Sequence, residues 1–92
     1  MNDLISETFI VSGRVQGVGF RYHTAQQASK LSVFGYAKNL PSGEVEVLAV
    51  GQADQLEQLF IWLQQGPKTA RVIQVIRSQV TIDSVPSDFQ IL

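Results

Sequence analysis

The segment Thr8-Phe-Ile-Val-Ser12 is β-branched and aromatic and runs into Gly13, which predicts a first strand closed by a turn. From Phe20 the period changes. Phe20, Thr24, Ala28 and Leu31 recur at helical spacing while Gln26, Gln27 and Lys30 fill the opposite face, predicting a first helix. Val33 to Lys38 reads as a second strand and Asn39-Leu-Pro-Ser-Gly43 as a turn. In Glu44-Val-Glu-Val-Leu-Ala-Val50 the glutamates alternate with Val45, Val47 and Ala49, the period of two of a half-buried strand. Glu44 and Glu46 are then a solvated strand face rather than a catalytic pair. Asp54, three residues before Glu57, resembles a capping box, and Leu56, Leu59, Phe60 and Leu63 mark one face of a second helix. Gly66-Pro67 stops it, and Trp62 lies off the stripe as a partly exposed packing residue. Val72 to Thr81 predicts a fourth strand, and Phe89 to Leu92 a short terminal one.

The order strand, helix, strand, strand, helix, strand is the split βαβ, ferredoxin-like arrangement of an α+β protein. It predicts an antiparallel sheet of four to five strands with two helices on one face and right-handed crossovers. At 92 residues the chain is expected to form a single domain, with Met1 to about Glu7 a short N-terminal extension. The architecture alone assigns no activity.

Composition narrows the chemistry. Seven Lys and Arg against eight Asp and Glu leave a net charge of -1, so no overall positive field draws the chain to nucleic acid or acidic membranes. No apolar run approaches a bilayer span, and the acidic residues near the start do not resemble a secretion signal; a cytoplasmic protein is expected. Zero Cys and one His exclude thiolate zinc sites, iron–sulfur clusters, cysteine nucleophiles and a His-rich metal site. Chemistry is left to oxygen, amide, imidazole and guanidinium groups.

Those groups gather between the first strand and the first helix, in Gly13-Arg-Val-Gln-Gly-Val-Gly-Phe-Arg21. A helix N-terminus exposes unpaired N–H groups, and Gly13, Gly17 and Gly19 let successive amides converge into a nest for an anion. Arg21 falls in the first helical turn, where a cation opposes the helix dipole by about a few tenths of a kcal/mol unless an anion compensates it. The glycine spacing fits neither the dinucleotide nor the P-loop pattern. The residues themselves leave a second reading open, in which the glycines only make a strand-to-helix turn and Arg14 and Arg21 are solvated.

This loop resembles the acylphosphatase signature Gly-x-Val-Gln-Gly-Val-x-Phe-Arg at every fixed position from Gly13 to Arg21. A second family pattern, Gly-aromatic-small-basic-Asn followed by Gly-x-Val and a later Gly, is matched by Gly35-Tyr-Ala-Lys-Asn39, Gly43-Glu-Val45 and Gly51. The resemblance continues through Gly66-Pro67 and Ala70-Arg-Val72 to Phe89-Gln-Ile91. It implies a small ferredoxin-like enzyme that hydrolyses acyl phosphates to carboxylate and inorganic phosphate, without metal or other cofactor. Residue by residue it implies Arg21 as the phosphate-binding arginine and Asn39 as the group that positions the attacking water. The amides of Val15, Gln16, Gly17, Val18, Gly19 and Phe20 would complete the phosphate cradle. No role is implied for His23, whose simplest reading is a surface helix histidine. A monomer is expected, with no nucleic-acid or membrane partner. The rivals are an anion-binding module without turnover and an RNA-binding sheet, the latter disfavoured by the negative charge and by glycines placed in a loop rather than on a strand.

Overall fold

A computed structural model describes residues 3–92. Seven elements follow in order: β1 (Ile5–Arg14), α1 (Phe20–Lys30), β2 (Phe34–Asn39), β3 (Val45–Gly51), α2 (Ala53–Gln65), β4 (Arg71–Gln79) and β5 (Phe89–Ile91). They form one sheet in the order β4-β1-β3-β2-β5. β3 pairs antiparallel with both β1 and β2, and β1 pairs antiparallel with β4, so the two βαβ units interlock as the sequence predicts.

The sheet and its first strand depart from expectation. The sheet is mixed, because β5 lies parallel to β2, with Gly35, Tyr36 and Ala37 opposite Phe89, Gln90 and Ile91. The connection after β4 carries the chain to the far edge of the sheet, and three alternating residues hold no information about direction. β1 also starts at Ile5 rather than Thr8, since Ile5 to Glu7 continue the ladder against Ala49 to Gly51. Of the expected N-terminal extension, Ile5 to Glu7 are therefore strand, and Met1 and Asn2 lie outside the described residues.

The period-two pattern of β1 and β3 turns Phe9, Val11, Val45, Val47 and Ala49 toward the helices. Phe20 and Ala28 of α1 and Leu56, Leu59 and Leu63 of α2 meet them, all essentially buried. The cap of α2 sits two residues before Asp54: Gln52 and Gln55 make the reciprocal box, the Gln52 N–H donating to Gln55 Oε1 at 3.1 Å. A glutamine reaches the same acceptor position that the Asp54 reading assigned to an acid. Trp62 is half-buried, its ring 6.1 Å from that of Phe20.

One ion-pair network fastens α2 to the sheet. Arg77 on β4 donates from Nε and Nη2 to the two Glu7 carboxylate oxygens, at 3.0 and 3.1 Å, and from Nη1 to Glu57 at 2.7 Å. Its guanidinium lies 4.7 Å from the centre of the Phe60 ring, adding a cation–π contact. The Glu7 side chain is only 12% exposed, so an unpaired carboxylate there is costly. Arg77→Ala is expected to lower the unfolding free energy by about 2 kcal/mol, measured by urea denaturation, and Arg77→Lys to recover only part of it because a point charge cannot replace the fork.

On the opposite face of the sheet the Tyr36 hydroxyl donates to Glu46 Oε2. That bond, reinforced by partial burial and the carboxylate charge, pushes the phenol pKa from 10.0 up to about 12. A raised folded-state pKa means the contribution to stability is complete below about pH 10 and is lost as pH rises through 12. Tyrosinate absorbance is expected to show one of the two tyrosines titrating near pH 12, and Glu46→Gln to return it toward 10.

Candidate active site

β1 ends at Arg14, α1 begins at Phe20, and the five residues between them adopt no regular structure. Gly17 (φ 75°) and Gly19 (φ 77°, ψ 17°) both lie in the left-handed region, so the chain turns twice within three residues. Gly13 serves a different end: it sits in β1 against β4, where a Cβ would collide with the Arg71 carbonyl. The turn between β1 and α1 is therefore built on Gly17 and Gly19, with Gly13 outside it in the strand.

Gly19 is the N-cap of α1, with no side chain capping the helix and no acid in its first turn. The first backbone donor bonded within this turn is His23, whose N–H reaches the Gly19 carbonyl at 3.1 Å. Among the described residues, none of the N–H groups from Gln16 to Tyr22 meets a backbone or side-chain acceptor. Seven successive amides are thus open at the positive end of a helix dipole.

A cleft of about 140 Å³ opens over this turn, lined by Val15, Gly17, Gly19, Phe20, Arg21 and Asn39, with Tyr22 and Ile91 at its sides. It brings together the two side chains that the sequence singled out. Arg21 donates from Nη1 to the Leu92 backbone oxygen at 2.6 Å, leaving most of its five N–H donors unengaged. Asn39 is the last residue of β2, and its Oδ1 is buried without a hydrogen-bond partner. An unsatisfied buried acceptor is costly where a fold alone is at stake, and it leaves the Asn39 oxygen able to accept a hydrogen bond from a molecule bound in the cleft.

The cradle residues divide by side chain. Val15 and Phe20 anchor the turn in the core, and Val18 packs against it. Gln16 faces away from the cleft wall: its Nε2 donates to the Leu40 carbonyl at 2.8 Å and the Glu44 carbonyl at 2.9 Å. Any part of Gln16 in anion binding is confined to its backbone. His23 lies outside the cleft; its ring sits beside Gly19 and faces the groove between the helices, with Trp62 and Lys68. Among the described residues no three His, Cys, Asp or Glu side chains gather as a metal site, and no helix is long and apolar enough to cross a membrane.

Two supports escaped the sequence. Leu92 orients Arg21 through its main chain, held in place by its N–H bond to the Ala37 carbonyl at 2.8 Å, and a main-chain contact leaves no residue-type signal. Gln16 ties the cradle to the turn that follows Asn39, although its place within the Gln-Gly-Val run marked the right residue. Gln16→Ala is expected to reduce turnover roughly tenfold with a smaller loss of inorganic phosphate affinity, because the turn after Asn39 loses its two bonds to the loop while keeping its own main-chain bonds, which loosens the Asn39 end of the cleft more than the amides. Steady-state kinetics with phosphate as competitive inhibitor separates the two effects.

The sequence model of the acylphosphatase family matches residues 7–91. An acylphosphatase of Vibrio cholerae is 57% identical over 84 residues, spanning 91% of this chain and 92% of that protein. Among solved structures, an acylphosphatase from Coxiella burnetii superposes with a TM-score of 0.92 at 36% identity, covering 98% of this chain and 94% of its own. An acylphosphatase from Bacillus subtilis gives 0.89 at 32% identity, covering 98% and 99%.

Proposed function

The chain belongs to the acylphosphatase family, and from that premise we propose that it hydrolyses the carboxyl–phosphate bond of small acyl phosphates in the cleft between Arg21 and Asn39. The observation that carries this reading is the run of amides from Gln16 to Tyr22 without an acceptor among the described residues, beside a cleft lined by Gly17, Gly19, Phe20, a half-free Arg21 guanidinium and Asn39.

Phosphoryl transfer demands positioning and the stabilisation of charge on three equatorial oxygens. The amides of the Val15 to Arg21 loop supply fixed dipoles that need no reorganisation, and Arg21 adds a planar, permanently charged fork pre-aimed by Leu92. The leaving carboxylate has a conjugate acid of pKa near ~4, so it departs without a general acid. Water is the nucleophile. Its oxygen bonds to phosphorus as the phosphorus–oxygen bond to the carboxylate breaks, and the electron pair of that bond leaves with the carboxylate. Asn39 Oδ1 accepts one hydrogen bond from the water and fixes its approach. An amide is too weak a base to take the proton, which passes to a phosphate oxygen; the products are carboxylate and inorganic phosphate.

Hydrolysis of an aromatic acyl phosphate by the purified protein tests this directly. Asn39→Ala is expected to cost about 10²–10³ in kcat, to leave inorganic phosphate inhibition nearly unchanged, and to leave the melting temperature equal or higher because a buried unpaired acceptor is removed. Arg21→Ala is expected to lose both turnover and phosphate inhibition, whereas His23→Gln retains both. A folded wild type that binds phosphate and turns nothing over would make this an anion-binding domain instead.

A further inference from the structure

Thr69 lies in the α2–β4 connection, about 50 residues from the cradle in sequence, and its hydroxyl donates to the Val18 carbonyl at 2.7 Å. α2 ends where the Gly66 N–H bonds the Trp62 carbonyl at 2.7 Å, and the Ala70 N–H to Pro67 carbonyl bond at 3.0 Å closes a turn with Thr69 inside it. The Trp62 ring rests against Phe20, the first residue of α1, so the end of α2 and the start of α1 form one packed unit. Thr69 is therefore presented to Val18 from a braced turn, on the groove side of the loop and outside the Arg21–Asn39 cleft.

The Val18–Gly19 peptide is trans, so its C=O and N–H point in opposite directions. With the carbonyl drawn to Thr69 on the groove side, the Gly19 N–H points to the other side, into the cleft that Gly19 lines. Among the described residues no other hydrogen bond reaches the Val18 carbonyl. A flip of this peptide reverses the sign of φ at Gly19, which glycine adopts at little cost, and it would aim a carbonyl oxygen at the anion. The glycine that permits the nest also permits its loss.

We propose that Thr69 is a positioning residue for the anion cradle, a latch that holds the Val18–Gly19 peptide with its N–H toward the substrate phosphate; the proposal rests on the acylphosphatase reading of the cleft. The side chain is exposed, so its replacement leaves the core intact.

The test compares Thr69→Val, which keeps the shape and removes the hydroxyl, with Thr69→Ser, which restores it. Thr69→Val is expected to weaken competitive inhibition by inorganic phosphate and to raise KM about three- to tenfold with an unchanged melting temperature, and Thr69→Ser to stay within about twofold of wild type. The orientation itself is read from the residual dipolar coupling of the Gly19 N–H in ligand-free protein. Its coupling should change in Thr69→Val and be restored in Thr69→Ser. An unchanged Gly19 coupling in Thr69→Val, or a Thr69→Ser variant as impaired as Thr69→Val, would overturn the latch. Because the coupling needs neither turnover nor phosphate, it judges the latch even if wild type proves inactive, an outcome that would count against the acylphosphatase reading alone.

Discussion

Seven backbone N–H groups in sequence, from Gln16 to Tyr22, find no acceptor among the described residues, and the surrounding structure is arranged around that condition. Native backbones rarely leave donors without partners, and a helix start normally recruits a side-chain cap to reduce the deficit. Here the capping position is Gly19, which brings no side chain, and the first turn brings a cation in Arg21 where an acid would be favourable. Both departures make sense together if the donors and the guanidinium share one external anion. The local rules of helix stability are broken at the place where the resemblance to acylphosphatases puts the phosphate.

The rest of the fold supplies rigidity to this exposed turn. Val15 and Phe20 sink its two ends into the core, so the loop spans a fixed gap between β1 and α1. Gln16 connects it to the β2–β3 turn beyond Asn39, and Leu92, fixed by the short parallel strand β5, steers Arg21. Three residues of strand would add little as sheet, yet they carry the chain end of the described structure to the guanidinium. The Arg77 network acts at a distance from the cleft, fastening α2 against β1 and β4 so that the end of α2 can brace the start of α1.

Much of this was legible in the chain. The alternation of Glu44 and Glu46 with valines, the leucine stripe of α2 and the glycine-rich strand-to-helix junction each have a local cause, and each formed where its pattern placed it. Arg21 and Asn39 were legible through the resemblance and are brought into one cleft. What stayed hidden is what depends on partners remote in sequence or on main-chain atoms. The parallel direction of β5, the Leu92 oxygen on Arg21 and the Gln16 bridge belong to this group, and so does the pairing that made Glu7 part of a strand. The α2 cap departs from its pattern for a different reason, since glutamine is an uncommon capping residue and Asp54 offers a more familiar pattern nearby.

The central claim is that the open amides of the α1 entry form an anion site, and titration of inorganic phosphate into uniformly ¹⁵N-labelled protein addresses it without relying on turnover. Saturable amide proton shifts confined to residues 16–22 and the Asn39 side chain, and abolished in Arg21→Ala, are the result expected here. Shifts centred instead on Lys30 and Lys68 in the groove between the helices, or no saturable response in the folded protein, would contradict it.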